Sequence, residues 1–309
     1  METLKNKIDF AVILGVNKAN PNGDPLSGNR PRTDYEGYGE LSDVCIKRKI
    51  RNRLMDLGHE IFVQSDDNRK DNYRSLRSRA EGVLKNVAMG DDKEFREAAC
   101  KQWIDVRSFG QVFAYKSGGK KTKKTKEGKE EDEDKSEEAS VSIGIRGPVS
   151  VHPAFSVASV NDRVASIQIT KSVSGEGDGA KKASDTMGMK HRVNHGVYVF
   201  YGSINPQLAS KTLFSDEDAK SIKEALRTLF VNDESSARPA GSMEVHTVYW
   251  WEQEQGEKQY SSAKVHRTVR DRVKPNKEEP KSIGDYYIPK ESEINEELPG
   301  LKVEIINGE

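Results

Sequence analysis

The chain has 309 residues, and its 50 Lys and Arg residues balance its 50 Asp and Glu residues, so the net charge is zero. This balance excludes a protein that attracts polyanions by overall basicity, and any such site must come from local segregation of charge. Two cysteines without a CxxC pair exclude a disulfide scaffold and a thiolate zinc site, and the mean hydropathy of -0.80 predicts long exposed excursions from one elaborated domain or two.

The first predicted element is a strand from Ile8 to Val16, which is apolar on both of its alternating faces. This pattern is typical of a central strand in a covered sheet. The apolar run from Phe10 to Val16 is far shorter than the roughly 20 residues that a membrane helix needs. We therefore expect a soluble cytoplasmic protein with no membrane partner.

A loop rich in Asn, Asp and Gly follows, from residue 17 to residue 34. Five residues exclude regular structure in it: Pro21, Gly23, Pro25, Gly28 and Pro31. We predict a long loop held in a few fixed turns, which offers backbone N–H groups and short side chains to a docked ligand.

A basic helix comes next, with Ser42 as its N-cap and Gly58 closing it. The predicted buried stripe is Ile46, Ile50, Leu54 and Leu57. The helix carries five cations and no acid among them, with Lys47, Arg48 and Arg51 on one flank and Lys49 and Arg53 on the other. Such cations repel one another by roughly a few tenths of a kcal/mol per i,i+4 pair. Either an anionic partner compensates them, or they form a solvated basic face.

The segment from residue 59 to residue 105 is predicted to be a small, mostly helical and polar insertion, and residues 104–113 return to strand or turn. Residues 116–138 then contain no hydrophobic side chain, with lysines first and acids second. Such a segment cannot offset its ordering entropy by burial, so we predict a disordered charged loop over 116–140. A basic arm touching nucleic acid is the alternative.

Order resumes with a strand over 141–151 that is broken at Gly147-Pro148. Residues 156–196 have two β-rich limbs around a Gly-rich tip, which predicts a protruding hairpin. The tip lacks the spacing of a phosphate-binding P-loop. His191 and His195 are four apart, but no third ligand is evident, so surface imidazoles beside Lys190 and Arg192 are favoured over a metal site.

The rest of the chain alternates strands and helices. We predict a strand over 197–204, a helix over 214–230 capped by Ser215, and a strand over 243–251. The last predicted strand contains three large aromatics, Tyr249, Trp250 and Trp251. They could stack on bases, but positions in the core or in a contact between subunits are favoured. Residues 264–309 are predicted to hold short strands between Pro-rich loops. This order of elements predicts an α+β, ferredoxin-like core.

Several sequence blocks, in order, resemble the type I-C backbone subunit of the CRISPR-associated Cas-seven (Cas7) family, in the RAMP superfamily. They include Asn20-Pro-Asn-Gly-Asp-Pro, the helix from Ser42 to Asn52, Asp105-Val-Arg-Ser-Phe-Gly, Arg146-Gly-Pro-Val and Met187-Gly-Met-Lys-His-Arg-Val. The resemblance implies a hand-shaped protein. Its palm is a modified RNA-recognition-motif core over 1–58 and 141–309, its fingers are the helical insertion over 59–105, and its thumb is the hairpin over 156–196. The 116–140 loop matches no block of the family.

The resemblance also implies a function. Copies of such a protein stack along CRISPR RNA inside a Cascade complex with Cas-five, Cas-eight and small subunits, and the guide pairs with target DNA. Pairing then reads the sequence while protein contacts the backbone. The candidate RNA-binding residues are Asn22, Gly23, Asn29, Arg30, Arg32, Lys47, Arg48, Arg51, Met187, Lys190 and Arg192. Met187 and Met189 either wedge against a displaced base or pack internally. No cofactor, metal or catalytic residue is expected.

One enzymatic alternative remains open at this point. Type III relatives of the family cut target RNA with an aspartate in the loop after the first strand, so Asp24 or Asp34 could be a catalytic acid. No histidine or metal cluster is near either of them in sequence, and Asp24 before Pro25 equally suits a turn-stabilising carboxylate. A stand-alone enzyme acting on a small molecule has no supporting constellation of residues.

Overall fold

A mixed α/β architecture around a central antiparallel sheet organises the protein. The computed structural model describes residues 2–85, 87, 92–116, 140–171, 186–256 and 259–309. The strands are β1 (Lys7–Ala19), β2 (Gly23–Asp24), β3 (Arg30–Pro31), β4 (Tyr38–Leu41), β5 (Gly110–Lys116), β6 (Ser140–Arg146), β7 (Val149–Val151), β8 (Ala154–Ser159), β9 (Val164–Lys171), β10 (Thr186–Ile204), β11 (Met243–Gln253), β12 (Lys274–Pro275), β13 (Tyr286–Tyr287) and β14 (Val303–Asn307). The helices are α1 (Asp43–Asp56), α2 (Leu76–Val83), α3 (Asp92–Gln102), α4 (Ile104–Phe109), α5 (Pro206–Thr212), α6 (Asp216–Arg227), α7 (Ser262–Arg270) and α8 (Glu291–Glu297).

Strand β1 lies in the middle of the sheet, as its two apolar faces predicted. The sheet order is β14-β11-β1-β10-β8-β4, with β7 and β9 also pairing with β10. Both neighbours of β1 are antiparallel to it, and its residues from Phe10 to Leu14 are fully buried. The central position of this strand is therefore confirmed, and it runs three residues beyond Val16.

Helices α1 and α6 cover one face of the sheet. Ser42 caps α1 by accepting a hydrogen bond from Cys45 N–H, and Ser215 forms a capping box with Asp218, so both predicted N-termini are confirmed. The inward residues of α1 are Ile46, Ile50 and Leu54, all fully buried. Leu57 does not continue this stripe, because it is the C-cap residue and is 38% exposed.

The other face is covered by helices that the sequence pattern missed. Residues 264–309 were predicted to be short strands and loops, but they contain most of α7 and all of α8. Val265 and Val269 of α7 pack in one cluster with Tyr249 and Trp251 of β11. Trp250 is buried in the cluster of the opposite face. The prediction of core aromatics is thus confirmed, and the base-stacking alternative is wrong because these rings are inside the protein.

The insertion has a small core of its own. Phe62, Phe95 and Trp103 pack together with Phe113 of β5, so the β5–β6 hairpin contributes to it. Residues 104–109 form helix α4 rather than the predicted strand or turn. Tertiary contacts outweigh β-branched propensity here, because the α4 carboxylate of Asp105 accepts hydrogen bonds from the main chain of the insertion.

The predicted hairpin is formed by β9 and the first part of β10. We call these two limbs, residues 164–171 and 186–193, the arm. Residues 154–159 belong instead to β8 of the main sheet. The predicted Gly-rich tip, and the charged loop apart from its terminal residues 116 and 140, lie outside the residues that the structure describes. Among the helices within the described ranges, none has the length and apolar character needed to cross a bilayer.

Candidate nucleic-acid interface

The loop after β1 is a compact structure held by its own amides. Its strands β2 and β3, each of two residues, pair as a short antiparallel hairpin. The pattern of prolines and glycines did not predict this pairing. Asn22 Oδ1 accepts a hydrogen bond from Ser42 N–H at 2.9 Å, so this side chain ties the loop to the start of α1. A Cβ at Gly23 would lie 2.0 Å from Asn29 Oδ1, so a larger residue there would displace the Asn29 side chain. Asn29 adopts φ +61°, a left-handed conformation that Asn tolerates.

The two aspartates considered as catalytic acids both stabilise turns. Asp24 accepts hydrogen bonds from Leu26 N–H at 3.2 Å and from Ser27 Oγ at 2.8 Å, and these bonds lower the pKa of its carboxyl group, the Ser27 bond having the larger effect. Asp34 Oδ1 accepts from Glu36 N–H and Tyr38 N–H. These contacts account for both carboxylates as parts of the turns.

Most cations of helix α1 have partners within the chain. Arg51 Nε donates to Asp105 Oδ2 at 3.0 Å, and Lys49 pairs with Asp233. Arg48 Nη1 donates to the carbonyl oxygen of Val63 at 2.6 Å. The anions that compensate these charges therefore include carboxylates from distant parts of the sequence, and a fully solvated basic face is wrong for this helix.

Lys47 and Arg53 complete the set of helix cations. Lys47 Nζ lies 2.9 Å from Asp43 Oδ2 in an i,i+4 pair with both side chains partly exposed. Arg53 Nε donates to Thr228 Oγ1 at 2.7 Å. Of the three candidates Lys47, Arg48 and Arg51, Lys47 has the weakest interaction with its partner. A surface ion pair of this kind contributes at most about 1 kcal/mol to stability.

Arg30 connects the loop to the arm. Its Nη1 donates to Ser166 Oγ at 3.3 Å, and this hydroxyl is 2.8 Å from His191 Nδ1. Arg32 follows β3 in the same loop, with its Nη2 3.8 Å from Asp24 Oδ1. One candidate arginine of the N-terminal loop, Arg30, thus meets one limb of the arm. We call the residues Arg30, Ser166 and His191 the loop–arm junction, and Arg32 lies two residues beyond Arg30 in the loop.

The arm has two chemically different faces. Directly opposed residues of an antiparallel pair share a face, and Met189 is opposite Gln168 while His191 is opposite Ser166. Met187, Met189 and His191 therefore lie on the junction side, and the two methionines are 59% and 52% exposed. Lys190 and Arg192 alternate with them and lie on the opposite face. The structure thus separates candidate residues that the sequence grouped together.

His195 is not the surface imidazole that the sequence analysis favoured. It is only 6% exposed, and its Nδ1 is 2.7 Å from Asn17 Oδ1. The reason is that β10 has left the arm at this point and entered the sheet beside β1. In the part of the chain that the structure describes, no group of three potential metal ligands comes together.

Sequence reasoning missed the residues that position this surface. Ser166 connects Arg30 to His191, and Asp105 and Asp233 neutralise helix α1. The sequence contained a signal for the two acids but none for Ser166. Five cations on one helix indicate that nearby anions must compensate them. Which acids do so depends on contacts between residues far apart in the chain.

Comparisons with known proteins place this geometry in context. A family model described as "CRISPR-associated protein Cas7" matches residues 6–291. A curated protein of Haloferax volcanii, "CRISPR-associated protein Cas7", is 27% identical over 225 residues, which are 71% of this chain and 63% of the relative's length. The chain therefore spans less than two thirds of that relative.

Two solved structures are similar at low sequence identity. A chain of a "CRISPR RNA-guided surveillance complex, pre-nicking" is 15% identical, with 94% of this chain and 87% of that chain covered and a TM-score of 0.46. A chain of a "CRISPR RNA-guided surveillance complex" is 16% identical, with 82% and 72% covered and a TM-score of 0.40.

Proposed function

The chain belongs to the Cas7 family of CRISPR-associated proteins, and from this premise we propose that it is the CRISPR RNA-binding backbone subunit of a type I-C Cascade surveillance complex. Copies of it would polymerise along the guide RNA and present the guide for pairing with target DNA. Its other partners would be the Cas-five, Cas-eight and small subunits. Its role would be structural and not enzymatic.

A modified RNA-recognition-motif palm fits the connectivity of the core. Strands β1, β8, β10 and β11 with helices α1 and α6 follow a β-α-β-β-α-β order, and they are arranged as β11-β1-β10-β8 in the sheet. In RNA-recognition motifs, aromatic side chains on the sheet stack bases. Here α7 and α8 cover that face, with Tyr249 and Trp251 buried beneath them. The guide is therefore expected along the loop and the arm.

The observation that carries the proposal is the loop–arm junction. Arg30 is exposed, and its guanidinium has one hydrogen bond to the described residues, of 3.3 Å from Nη1 to Ser166 Oγ. Arg32 Nη2 lies 3.8 Å from the Asp24 carboxylate. Guanidinium groups in such positions can exchange these partners for phosphate oxygens, which they bind in a bidentate manner. Contacts to phosphates position a strand without reading its sequence.

The two faces of the arm suggest different roles. Exposed Met187 and Met189 continue the junction surface, where flexible apolar side chains suit contact with a base. Lys190 and Arg192 on the other face would meet a different part of the assembly, such as a neighbouring copy or the target strand. Arg51, whose side chain is 13% exposed and paired with Asp105, would stabilise the fold rather than contact RNA.

The test is RNA binding by the purified full chain. We expect RNA of heterogeneous sequence to co-purify with the protein in large particles. It should raise the ratio of absorbance at about 260 nm to that at about 280 nm, and the extracted RNA should run as a smear on a gel. In the double variant Arg30→Ala/Arg32→Ala, affinity should fall for all sequences alike. The plot of the logarithm of the RNA-binding constant against the logarithm of salt concentration has a negative slope. Its magnitude should fall by roughly 2, about one unit for each lost phosphate contact.

A matched variant controls for charge. Lys211→Ala/Lys220→Ala removes the same charge from exposed positions of α5 and α6, and it should leave the salt slope unchanged. An affinity loss restricted to particular RNA sequences, or equal losses in both double variants, would contradict the assignment of the junction to the RNA backbone.

A further inference from the structure

Helix α7 leaves part of its face of the sheet open, and a cavity of about 370 Å³ lies there. Its floor comes from β8 and β10, where Phe155 is opposite Val199, so that the two side chains share a face. Val157, two residues along β8, lies on the same face. Phe155 is exposed, so this apolar floor is accessible. The described residues that line the cavity do not include those of the loop–arm junction.

Tyr201 supplies an open hydroxyl group to this cavity. It lies two residues beyond Val199 on the same face of β10, and its ring centroid is 5.1 Å from that of His266 in α7. Its hydroxyl has no hydrogen-bond partner within the described ranges, and, unlike those of Tyr198 and Tyr286, it is not shut off from solvent. Burial of the ring raises the pKa of Tyr201, so the hydroxyl stays protonated and can donate.

Arg270 supplies the charge. It is the last residue of α7, its side chain is exposed, and its Nε donates to Asp271 Oδ1 at 3.3 Å. Its two Nη groups have no hydrogen-bond partner in the part of the chain that the structure describes, so they remain available to a ligand. The exposed imidazole of His152 also lines the cavity, in an edge-on contact with His266.

The lining selects an anion with an apolar part. Among the described residues that line the cavity there is no carboxylate, whereas Arg270 is cationic. Ser156 Oγ is already bonded to two main-chain groups, and most of the remaining lining is apolar: Pro153, Phe155, Val157, Val199 and Val273. A carboxylate can accept two parallel hydrogen bonds from a guanidinium group. A nucleic-acid phosphate would instead bring a polar ribose against the apolar floor.

We propose that this cavity binds a small carboxylic acid with an apolar body, the carboxylate on Arg270 and Tyr201 and the apolar body on Phe155 and Val199. The cavity volume is within the range of about 300–1,000 Å³ typical of small-molecule sites, which combine an apolar lining with a few convergent polar groups. This binding site goes beyond the proposed function and does not depend on it.

The experiment uses hydrocinnamate as the probe and hydrocinnamyl alcohol, which has the same apolar body without the charge, as its neutral counterpart. Each is titrated into the purified full chain, and dissociation constants are obtained by ligand-detected NMR. We expect the acid to bind roughly tenfold more tightly than the alcohol, because only the acid forms a charge-assisted pair with Arg270.

Variants of the two donors separate the carboxylate contact from the apolar contact. Arg270→Ala should weaken hydrocinnamate binding by roughly tenfold and change binding of the alcohol by less than about twofold. Tyr201→Phe keeps the ring beside His266 and should weaken hydrocinnamate binding by roughly threefold to tenfold. Arg267→Ala removes the same charge from an exposed position of α7 outside the cavity lining, and it should change neither constant.

Val157→Phe fills the cavity while keeping both donors, and it should weaken binding of both probes. No saturable binding of hydrocinnamate at millimolar concentration overturns the inference, as do equal losses for acid and alcohol in Arg270→Ala. Displacement of hydrocinnamate by an added oligonucleotide would assign the cavity to RNA and would also overturn it. Failure of the proposed function is distinguishable, because hydrocinnamate binding by a protein that binds no RNA would leave the cavity inference intact.

Discussion

Replacing Arg51 with Ala separates a role in folding from a role in RNA binding. Arg51 Nε bonds Asp105 Oδ2 at 3.0 Å, and the two side chains are only 13% and 1% exposed. The substitution leaves the Asp105 carboxylate buried without its counter-charge. We therefore expect the free energy of unfolding to fall substantially, although Arg51 belongs to the basic helix.

The magnitude follows from the remaining contacts. Removing one partner of a buried ion pair costs about 3–5 kcal/mol. Asp105 keeps hydrogen bonds from Phe62 N–H at 2.7 Å and Val63 N–H at 3.0 Å, which favours the lower end. The guanidinium also lies 4.9 Å from the Phe109 ring centroid, a cation–π contact worth about 1 kcal/mol. We expect a total loss of about 3–4 kcal/mol.

Urea unfolding followed by tryptophan fluorescence measures this loss, because Trp103 is buried in the core of the insertion. Lys47→Ala on the same helix is the control. Its pair with Asp43 is a partly exposed i,i+4 pair, so the free energy of unfolding should change by less than about 1 kcal/mol. If Arg51→Ala unfolded at the wild-type urea concentration and instead reduced RNA affinity and its salt slope, Arg51 would be a phosphate contact and the reasoning would be refuted.

Two further predictions test the loop and the insertion. In Gly23→Ala, the new Cβ would lie 2.0 Å from Asn29 Oδ1. Because the exposed Asn29 side chain can turn away, we expect a stability loss at the lower end of the roughly 1–3 kcal/mol that overpacking costs, together with weaker RNA binding. Gly144→Ala, whose Cβ meets no atom within 4 Å, should show neither effect in thermal unfolding and gel-shift assays. The hydrogen bond from Arg79 is the main reason that the pKa of Asp71 is lowered. The ionised carboxylate therefore stabilises the fold at pH values above its unfolded pKa of about 3.9. This stabilisation is lost as the pH falls through the lower pKa of the folded state. Asp71→Asn should be less stable than wild type at pH near 7 and should approach it at pH below about 4, and a stability difference that is independent of pH in urea titrations would contradict this.

Local patterns in the sequence were sufficient for the main elements of the core. The two apolar faces of the segment from Ile8 to Val16 predicted a central strand, and Ser42 and Ser215 marked two helix starts correctly. These signals are reliable because burial on both faces and capping depend on residues close together in the chain. The aromatic run at Tyr249 was likewise predicted as core.

Long-range contacts decided what the sequence left open. Arg51 and Asp105 are 54 residues apart, and Lys49 and Asp233 are 184 apart, so no local pattern could pair them. Helices α4 and α7 form where packing outweighs propensity, and the pleat of the arm puts Lys190 on the face opposite Met189. The sequence alone determined that the helix and the arm are rich in cations. Which of these cations face solvent was decided by the tertiary structure, because a buried charge requires a partner and only folding brings that partner close.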